Sequence, residues 1–275
     1  MQPLLTIGVP VYNEEKFIRA TLDSLLSQSF KDFNLIVSDN CSTDYTYEIA
    51  KEYAKKDDRV TVVKQEENIG VIDNFISVLK RAKSKYFMWA GGHDIFESHY
   101  FKEGVEYLEQ NPESVLAYPN TVFFDESGTL PIPSSDIDTI GLSRGKAIYK
   151  ISRNLYDCSS IHGIFKLETL LNLKFHKGVG FDNLIIYQTA EKGEIKQLSQ
   201  GLNRRIVRKE SKQAKSERYK EAKITQANAS KEMNRYIKRL FTLINKMEEI
   251  SLIDKLMIYW SLVRRYGLKF NWISL

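Results

Sequence analysis

Four places in the chain carry side chains that could do chemistry together: Tyr12-Asn13, Asp39, Asp94 and Asp182. Taken singly, an Asp or Asn that follows a strand is most often a turn former or a helix cap. Their joint placement changes the expectation, because three of the four lie just beyond three separate apolar runs and so should share one edge of one sheet. No GxGxxG follows the first run and no GxxxxGK[ST] occurs anywhere. A dinucleotide-binding Rossmann cradle and a P-loop are therefore excluded. A site that meets a diphosphate without a glycine-rich cradle must neutralise it otherwise. Mg²⁺ or Mn²⁺, bound through one or two carboxylates plus the ligand's phosphates, does so. Asp94, preceded by Gly91-Gly92, suits that role, since glycines let the backbone approach a ligand closely.

The elements that must position these residues follow from hydrophobic periodicity. Residues 4–9 read as a buried strand ended by Pro10 and a polar cluster, and residues 14–28 as a helix with Phe17, Ile18, Leu22, Leu25 and Leu26 on one face. A second strand over 33–37 leads into the turn-rich Ser38–Asp44, with Thr43 as the expected N-cap of a helix towards Lys55. Strands over 60–63 and 86–90 flank a helix over 71–82. The alternation predicts right-handed βαβ units in an α/β fold with a mostly parallel sheet, and ligands beyond the carboxyl ends of its strands. Further on, 115–124 reads as a strand and 128–141 as a Pro-, Ser- and Asp-rich surface loop. Residues 145–200 hold short helices and Gly180-Phe181-Asp182-Asn183. From about Gln213 the pattern is helical, with Met233, Ile237, Leu240, Ile244 and Met247 recurring at three- and four-residue steps.

PVYNEEKFIRATLDSLLSQSFKDFNLIVSDNCSTD, then ENIGVIDNF, then KYFMWAGGHD, resembles the family 2 glycosyltransferases over residues 4–95, and GFDNLIIYQTAEKG carries a weaker match within 155–193. The resemblance implies the glycosyltransferase type A fold: a nucleotide-diphospho-sugar transferase sheet flanked by helices, here with a helical C-terminal extension. It divides the chain into a nucleotide-sugar-binding half (1–118), an acceptor-binding half of the same catalytic domain (119–205) and a basic extension (206–275). It implies an inverting enzyme that uses Mn²⁺ or Mg²⁺. Its donor is a nucleotide diphosphate sugar, UDP favoured. Its acceptor is a hydroxyl of a glycan or lipid-linked glycan, as in bacterial surface polysaccharide synthesis. Carried over onto this sequence, Pro10, Tyr12, Asn13, Glu14, Asp39, Asn68 and His93 line the nucleotide. Asp94 holds the metal, Asp182 is the catalytic base, and Arg205, Arg208 and Lys209 belong to a loop over the diphosphate. His93 departs from the family, which often has an acid there; imidazole can bond ribose or ligate metal. A non-catalytic sugar-nucleotide binder or scaffold is the competing class, and the retained Asp182 argues against it. A nucleotidyltransferase would need a glycine-rich basic opening loop that GVPVYNEE lacks.

Composition bounds where such a protein works. Two cysteines, Cys41 and Cys158, without CxxC spacing fit a reducing compartment. The opening lacks a signal-peptide pattern and no run of about 18 apolar residues occurs, so the expectation is a cytoplasmic protein, or one on the inner face of the plasma membrane. The net charge of +5 is uneven: residues 201–275 carry 18 Lys and Arg against 7 Asp and Glu. This basic tail lacks a nucleic-acid-binding motif, so no nucleic acid is expected. In residues 250–275, Leu252, Leu256, Tyr259, Trp260 and Val263 fall at helical spacing among Lys255, Arg264, Arg265 and Lys269. With Tyr266 and Trp272 this suits an anionic membrane interface. The alternative is packing against the catalytic domain or, through the C-terminal helices, against a second subunit.

Overall fold

The computed structural model describes residues 2–125, 128–130, 132–206 and 229–266. In chain order the elements are β1 (Leu5–Val11), α1 (Ile18–Leu26), β2 (Phe33–Asp39), α2 (Thr46–Ala54), β3 (Val60–Lys64), α3 (Val71–Arg81), β4 (Tyr86–Trp89), β5 (Asp94–Phe96), α4 (Tyr100–Gln110) and β6 (Ser114–Asp125). There follow β7 (Gly128–Thr129), α5 (Arg144–Asn154), a 3₁₀ turn (Ser159–His162), β8 (Ile164–Lys166), α6 (Leu167–Leu171), α7 (Phe181–Lys192), β9 (Glu194–Ile206), α8 (Ala229–Lys246) and α9 (Leu252–Tyr266).

All strands join one sheet in the order β3-β2-β1-β4-β8-β6-β9-β5, with β7 paired to β6. The first four are parallel, as their helical crossovers require. Beyond β4 the sheet is mixed: β8 runs antiparallel to both β4 and β6, β9 parallel to β6, and β5 antiparallel to β9. The division of the chain at residue 118 falls within β6, so both halves share this sheet.

A central strand such as β4 feeds two cores because its side chains alternate. In β4, Phe87 and Trp89 join the layer of α3, α5, α7, α8 and α9, while Tyr86 and Met88 join the layer of α1, α2 and α4. Pro10 sits in β1, a central strand, without loss of a ladder bond, because the pairing of β4 ends at Gly8↔Trp89.

Several local expectations are corrected. Helix α2 starts at Thr46 with Tyr45 at its N-cap, and Asp44, just before it, accepts the Thr46 N–H on Oδ1 at 3.0 Å. Thr43 instead gives its N–H to Asn13 Oδ1 at 2.9 Å. The segment 128–141 is not wholly loop, since Gly128–Thr129 form β7. Strand β8 and the thirteen-residue β9 lie in the region read as short helices. β8 is too short for a periodic signal, and β9 mixes charged and apolar residues without alternation.

The stripe on α8 is rotated slightly from the one expected. Tyr236, Leu240, Ile244 and Met247 are buried, while Met233 is exposed. Tyr236 lies over Gly180, which has φ +74° and is the αL residue before α7; a Cβ there would collide with the tyrosine ring. Helix α9 packs on α5 through Ile258, Ser261 and Leu262, and Arg265 donates to the carbonyls of Ser152 and Leu155. The expected stripe is only partly its packed face: Tyr259, stacked on Phe241, and Val263 are half-buried, whereas Leu252, Leu256 and Trp260 are exposed, together with Ile253 and Met257. The helix is apolar on more than one side, so spacing alone does not say which side is inward. The helical pattern over 213–228, Arg208, Lys209, Lys269 and Trp272 lie outside the described residues.

Candidate functional site

The loops after β1 and β2 are sewn to each other. Asn13, at φ 54°, adopts the left-handed conformation that Asn tolerates. Its N–H donates to Ser42 Oγ at 3.0 Å while its Oδ1 takes the Thr43 N–H. Glu15 adds a bond from the Tyr45 N–H at 3.1 Å. The end of β2 is held the same way. Asn40 Oδ1 accepts the Ile69 N–H at 3.0 Å, and its Nδ2 donates to Asn68 Oδ1 at 2.9 Å, which also accepts the Gly70 N–H. Asn13 and Asn68 thus shape the walls through their amide oxygens. Tyr12 lies half-buried beside them.

Asp39 stands at the floor, fully buried. Its Oδ2 accepts the Ser42 N–H at 3.0 Å, and its Oδ1 has no partner. A buried acceptor left open in this way is costly unless a ligand or water completes it.

The acidic loop follows β4. Its two glycines make room for carboxylates as much as for a ligand: a Cβ at Gly91 would meet Asp94 Oδ2 at 2.7 Å, and one at Gly92 would meet Glu14 Cγ at 2.9 Å. Asp94 is fully buried and neither of its oxygens has a hydrogen-bond partner. His93 is the accessible member of the loop, its side chain 25% exposed, with Nδ1 at 3.1 Å from Oε1 of the buried Glu14.

Behind Asp94 lies His162, a residue that nothing in its local sequence singles out: it is a lone His within Ile161-His162-Gly163-Ile164-Phe165, before a strand too short to be read. Its Nδ1 lies 3.0 Å from the Trp89 carbonyl, an acceptor, so Nδ1 carries the hydrogen. Its Nε2 faces Asp94 Oδ2 at 3.6 Å. Burial pushes the imidazole pKa down to about 4, outweighing the opposing pull of Asp94. The ring is therefore neutral at pH 7, and the contact is two acceptors face to face rather than a salt bridge. A proton, a water or a cation between them would relieve it.

The other wall comes from α7 and the 3₁₀ turn. Asp182, half-buried in the first turn of α7, accepts the Asn183 N–H on Oδ1 at 2.8 Å. Cys158 Sγ donates to Asn183 Oδ1 at 3.1 Å. Burial raises the Cys158 thiol well above its usual range, and the negative charge of Asp182 adds to this, so the thiol stays protonated. Arg205, opposite Asp94 in the β5–β9 ladder, is close enough to bear on both Cys158 and His162. The fold therefore brings Asp94, His162, Arg205, Cys158 and Asp182 together at one end of the sheet. Arg204 points elsewhere and pairs with Glu97 at 3.2 Å. Among the described residues no group of three or more His, Cys, Asp and Glu is placed to hold a metal unaided. A cation here would take the rest of its shell from the ligand's phosphates.

Comparison with known proteins bears on the family and the fold. The family model described as Glycosyl transferase family 2 matches residues 6–171. Glycosyltransferase MJ1057 of Methanocaldococcus jannaschii is 31% identical over 131 residues, 47% of this chain and 45% of that protein. A putative teichuronic acid biosynthesis glycosyltransferase of Bacillus subtilis, TuaG, is 33% identical over 107 residues, 39% of this chain and 42% of that one. The chain thus spans less than half the length of these relatives. Among solved structures, S. aureus TarS 1–349 in complex with UDP-GlcNAc superposes with a TM-score of 0.70 at 18% identity, covering 96% of this chain and 73% of that one. The mannosyltransferase PcManGT of Pyrobaculum calidifontis, in complex with GDP-Man and Mn²⁺, does so at 0.59 and 16%, covering 98% and 77%. Both likenesses are of fold.

Proposed function

The chain belongs to glycosyl transferase family 2, and from that premise we propose that it is an inverting transferase of sugars from nucleotide diphosphate donors, UDP-sugars before others. Its acceptor is a hydroxyl of a glycan or lipid-linked glycan in bacterial surface polysaccharide synthesis. The observation that carries the reading is the open, buried acceptor on Asp39 at the end of β2; the carboxylate of Asp182 in the first turn of α7 supplies the base. TuaG and TarS in its UDP-GlcNAc complex support the setting and the donor class.

The chemistry then falls to named atoms. Asp39 Oδ1 accepts the imide N–H of uracil; cytosine has no hydrogen there, whereas guanine offers donors of its own. Asn13 and Asn68 hold the walls around that base, with Pro10, Tyr12 and Glu14 beside it. The loop of Gly91 to Asp94 would hold Mn²⁺ or Mg²⁺ through Asp94, whose two oxygens have no hydrogen-bond partner, with the rest of the shell from the donor's phosphates and His93 beside the nucleotide. When bound there, the cation would supply Lewis-acid stabilisation to the departing diphosphate. Arg205 adds positive charge on the same side; the loop role expected of Arg208 and Lys209 falls outside the described residues. Asp182 takes the proton from the acceptor hydroxyl as it attacks the anomeric carbon opposite the leaving group, which inverts the configuration.

The enzyme works in the cytoplasm at the inner membrane face, brought to its acceptor by the exposed apolar stripe and basic residues of α9. None of the described helices is long and apolar enough to cross a membrane. A thermal-shift screen of nucleotide sugars with Mn²⁺ tests the function. A UDP-sugar should raise the melting temperature by mass action and be slowly hydrolysed. A protein stabilised by no nucleotide sugar would not be a transferase, and one stabilised without turnover under any condition would be a binder.

A further inference from the structure

Away from the nucleotide site, one cleft gathers positive charge with nothing to neutralise it. It lies between the C-terminal end of α5 and the last turns of α9, has a volume of about 270 Å³, and is lined by Ser152, Arg153, Trp260, Ser261, Arg264 and Arg265. No carboxylate lines it, and none of its arginines pairs with an acid among the described residues. Helix ends explain part of this, since their partial negative charge tolerates cations in the last turn. Arg265 serves that role by donating to the carbonyls of Ser152 and Leu155. The others are not so employed. Arg153 gives one N–H to Tyr149 Oη at 3.1 Å, and Arg264 lies over the ring of Trp260 at 5.4 Å, so each keeps most of its donors. The hydroxyl of the buried Ser261 makes no hydrogen bond among the described residues.

Guanidinium forks bind the oxygens of carboxylates or phosphates in pairs. A planar carboxylate is filled by one fork. Forks converging from two helices, together with a free hydroxyl, suit the tetrahedral oxygens of a phosphate. The surroundings say where that phosphate comes from. Leu252, Leu256, Trp260 and Arg264 follow one another at four-residue steps and so lie along one face of α9. The first three are exposed apolar side chains. The apolar stripe therefore runs directly into the cleft.

We propose that this cleft binds the phosphate of an anionic lipid headgroup, with Arg153 and Arg264 as its direct ligands. The inference rests on the membrane setting proposed above. It adds a defined headgroup site built from two helices, one of which, α5, is no part of the stripe. None of the residues assigned to the nucleotide lines the cleft.

Cosedimentation of the full-length protein with mixed phosphatidylcholine and phosphatidylglycerol vesicles separates a site from a diffusely charged surface. A diffuse surface loses about fivefold in affinity per basic residue removed and nothing when the charge is kept. A site read by forks does not accept lysine. Arg153→Lys and Arg264→Lys should each weaken vesicle binding about tenfold, as for a lost charge-assisted hydrogen bond. Both residues are exposed, so the melting temperature should hold. Lys255→Arg, outside the cleft, should change nothing. Dihexanoyl phosphatidylglycerol below its micellar concentration should bind the wild type saturably and shift the Nε–Hε resonances of Arg153 and Arg264 in NMR spectra. Inorganic phosphate should do so far more weakly, since it gains nothing from the stripe. Unchanged vesicle affinity in both lysine variants overturns the proposal in favour of diffuse attraction. Inorganic phosphate bound as tightly as the short-chain lipid overturns the lipid source. UDP still raising the melting temperature in either case leaves the transferase reading standing. Lysine-sensitive vesicle binding by a protein that no nucleoside diphosphate stabilises would remove that reading and keep the headgroup site.

Discussion

The two walls of the site are built in opposite ways. On the nucleotide side, every polar residue follows its strand directly and is tied to the neighbouring loop: Asn13 to Ser42 and Thr43, Asn40 to Asn68 and Ile69. The walls are finished before a ligand arrives, and a single acceptor, Asp39 Oδ1, is left over. On the other side, Asp182, Cys158, His162 and Arg205 come from three separate segments, joined by two antiparallel ladders and one cysteine–amide contact. The first wall is suited to recognition by preorganisation, since its groups lose little freedom on binding. The second collects ionisable groups at one place, which is what proton and charge transfer need.

If that division is right, the largest effect belongs to the second wall. Asp182→Asn should lower the rate of transfer about a hundredfold or more, the range for a lost general base, with donor affinity intact. Isothermal titration with the donor beside single-turnover kinetics checks it. A loss confined to donor affinity would place Asp182 on the recognition side. The complementary change, Asp39→Asn, should leave single-turnover rates of the bound donor near wild type. It should weaken uridine nucleotide binding about 10- to 100-fold, equivalent to a charge-assisted hydrogen bond of ~1.5–3 kcal/mol. Equal weakening of nucleotides with and without an imide hydrogen would break the assignment of Asp39 to the base.

How much of this was legible follows the same line. Tyr12-Asn13, Asp39 and Asp94 could be read because each punctuates an apolar run, so sequence position and sheet position coincide. Asp182 could be found through a motif at the start of an apolar helix. His162 could not: nothing local distinguishes it, and it meets Asp94 only because β8 inserts between β4 and β6. The pairing of Glu14 with His93 was equally hidden, since 79 residues separate them and the signal, a glycine at 92, had a simpler explanation in ligand approach. Helices α8 and α9 were recognisable as helices, but their inward faces were set by Gly180 and α5 and not by their own periodicity.

Gly180→Ala tests the seat of α8 beside the second wall. The new methyl group meets Tyr236 and the residue is held at positive φ. Overpacking of this kind costs about 1–3 kcal/mol, read by chemical denaturation. Because Gly180 leads into Asp182, the variant should lose rate before it loses nucleotide affinity. The reverse order would mean that the two walls are coupled.

The smallest effect lies furthest from the chemistry, on the two sides of α9. Ile258 and Leu262 are buried against α5, and Arg265 reaches the α5 carbonyls, so this side belongs to the catalytic domain. A truncation at residue 250 should accordingly be unstable. The other side leaves Leu252 at 74%, Ile253 at 71% and Trp260 at 57% exposure, near Lys255 and Arg264. An apolar stripe flanked by cations fits an anionic lipid surface, where the ring of Trp260 has an apolar body and one polar end. The double variant Leu256→Ser/Trp260→Ser should keep its melting temperature, since exposed changes are usually worth within about 0.5 kcal/mol. It should cosediment with anionic vesicles several-fold more weakly, as partial insertion of two side chains worth about 1.5–3 kcal/mol each when fully buried implies. Ile258→Ala should do the opposite, costing stability and sparing vesicle affinity. Wild-type protein that stays in the supernatant with anionic vesicles at low salt would end the membrane assignment. A dissociation constant for self-association that rises in the double variant would give the stripe to a second copy of the chain instead.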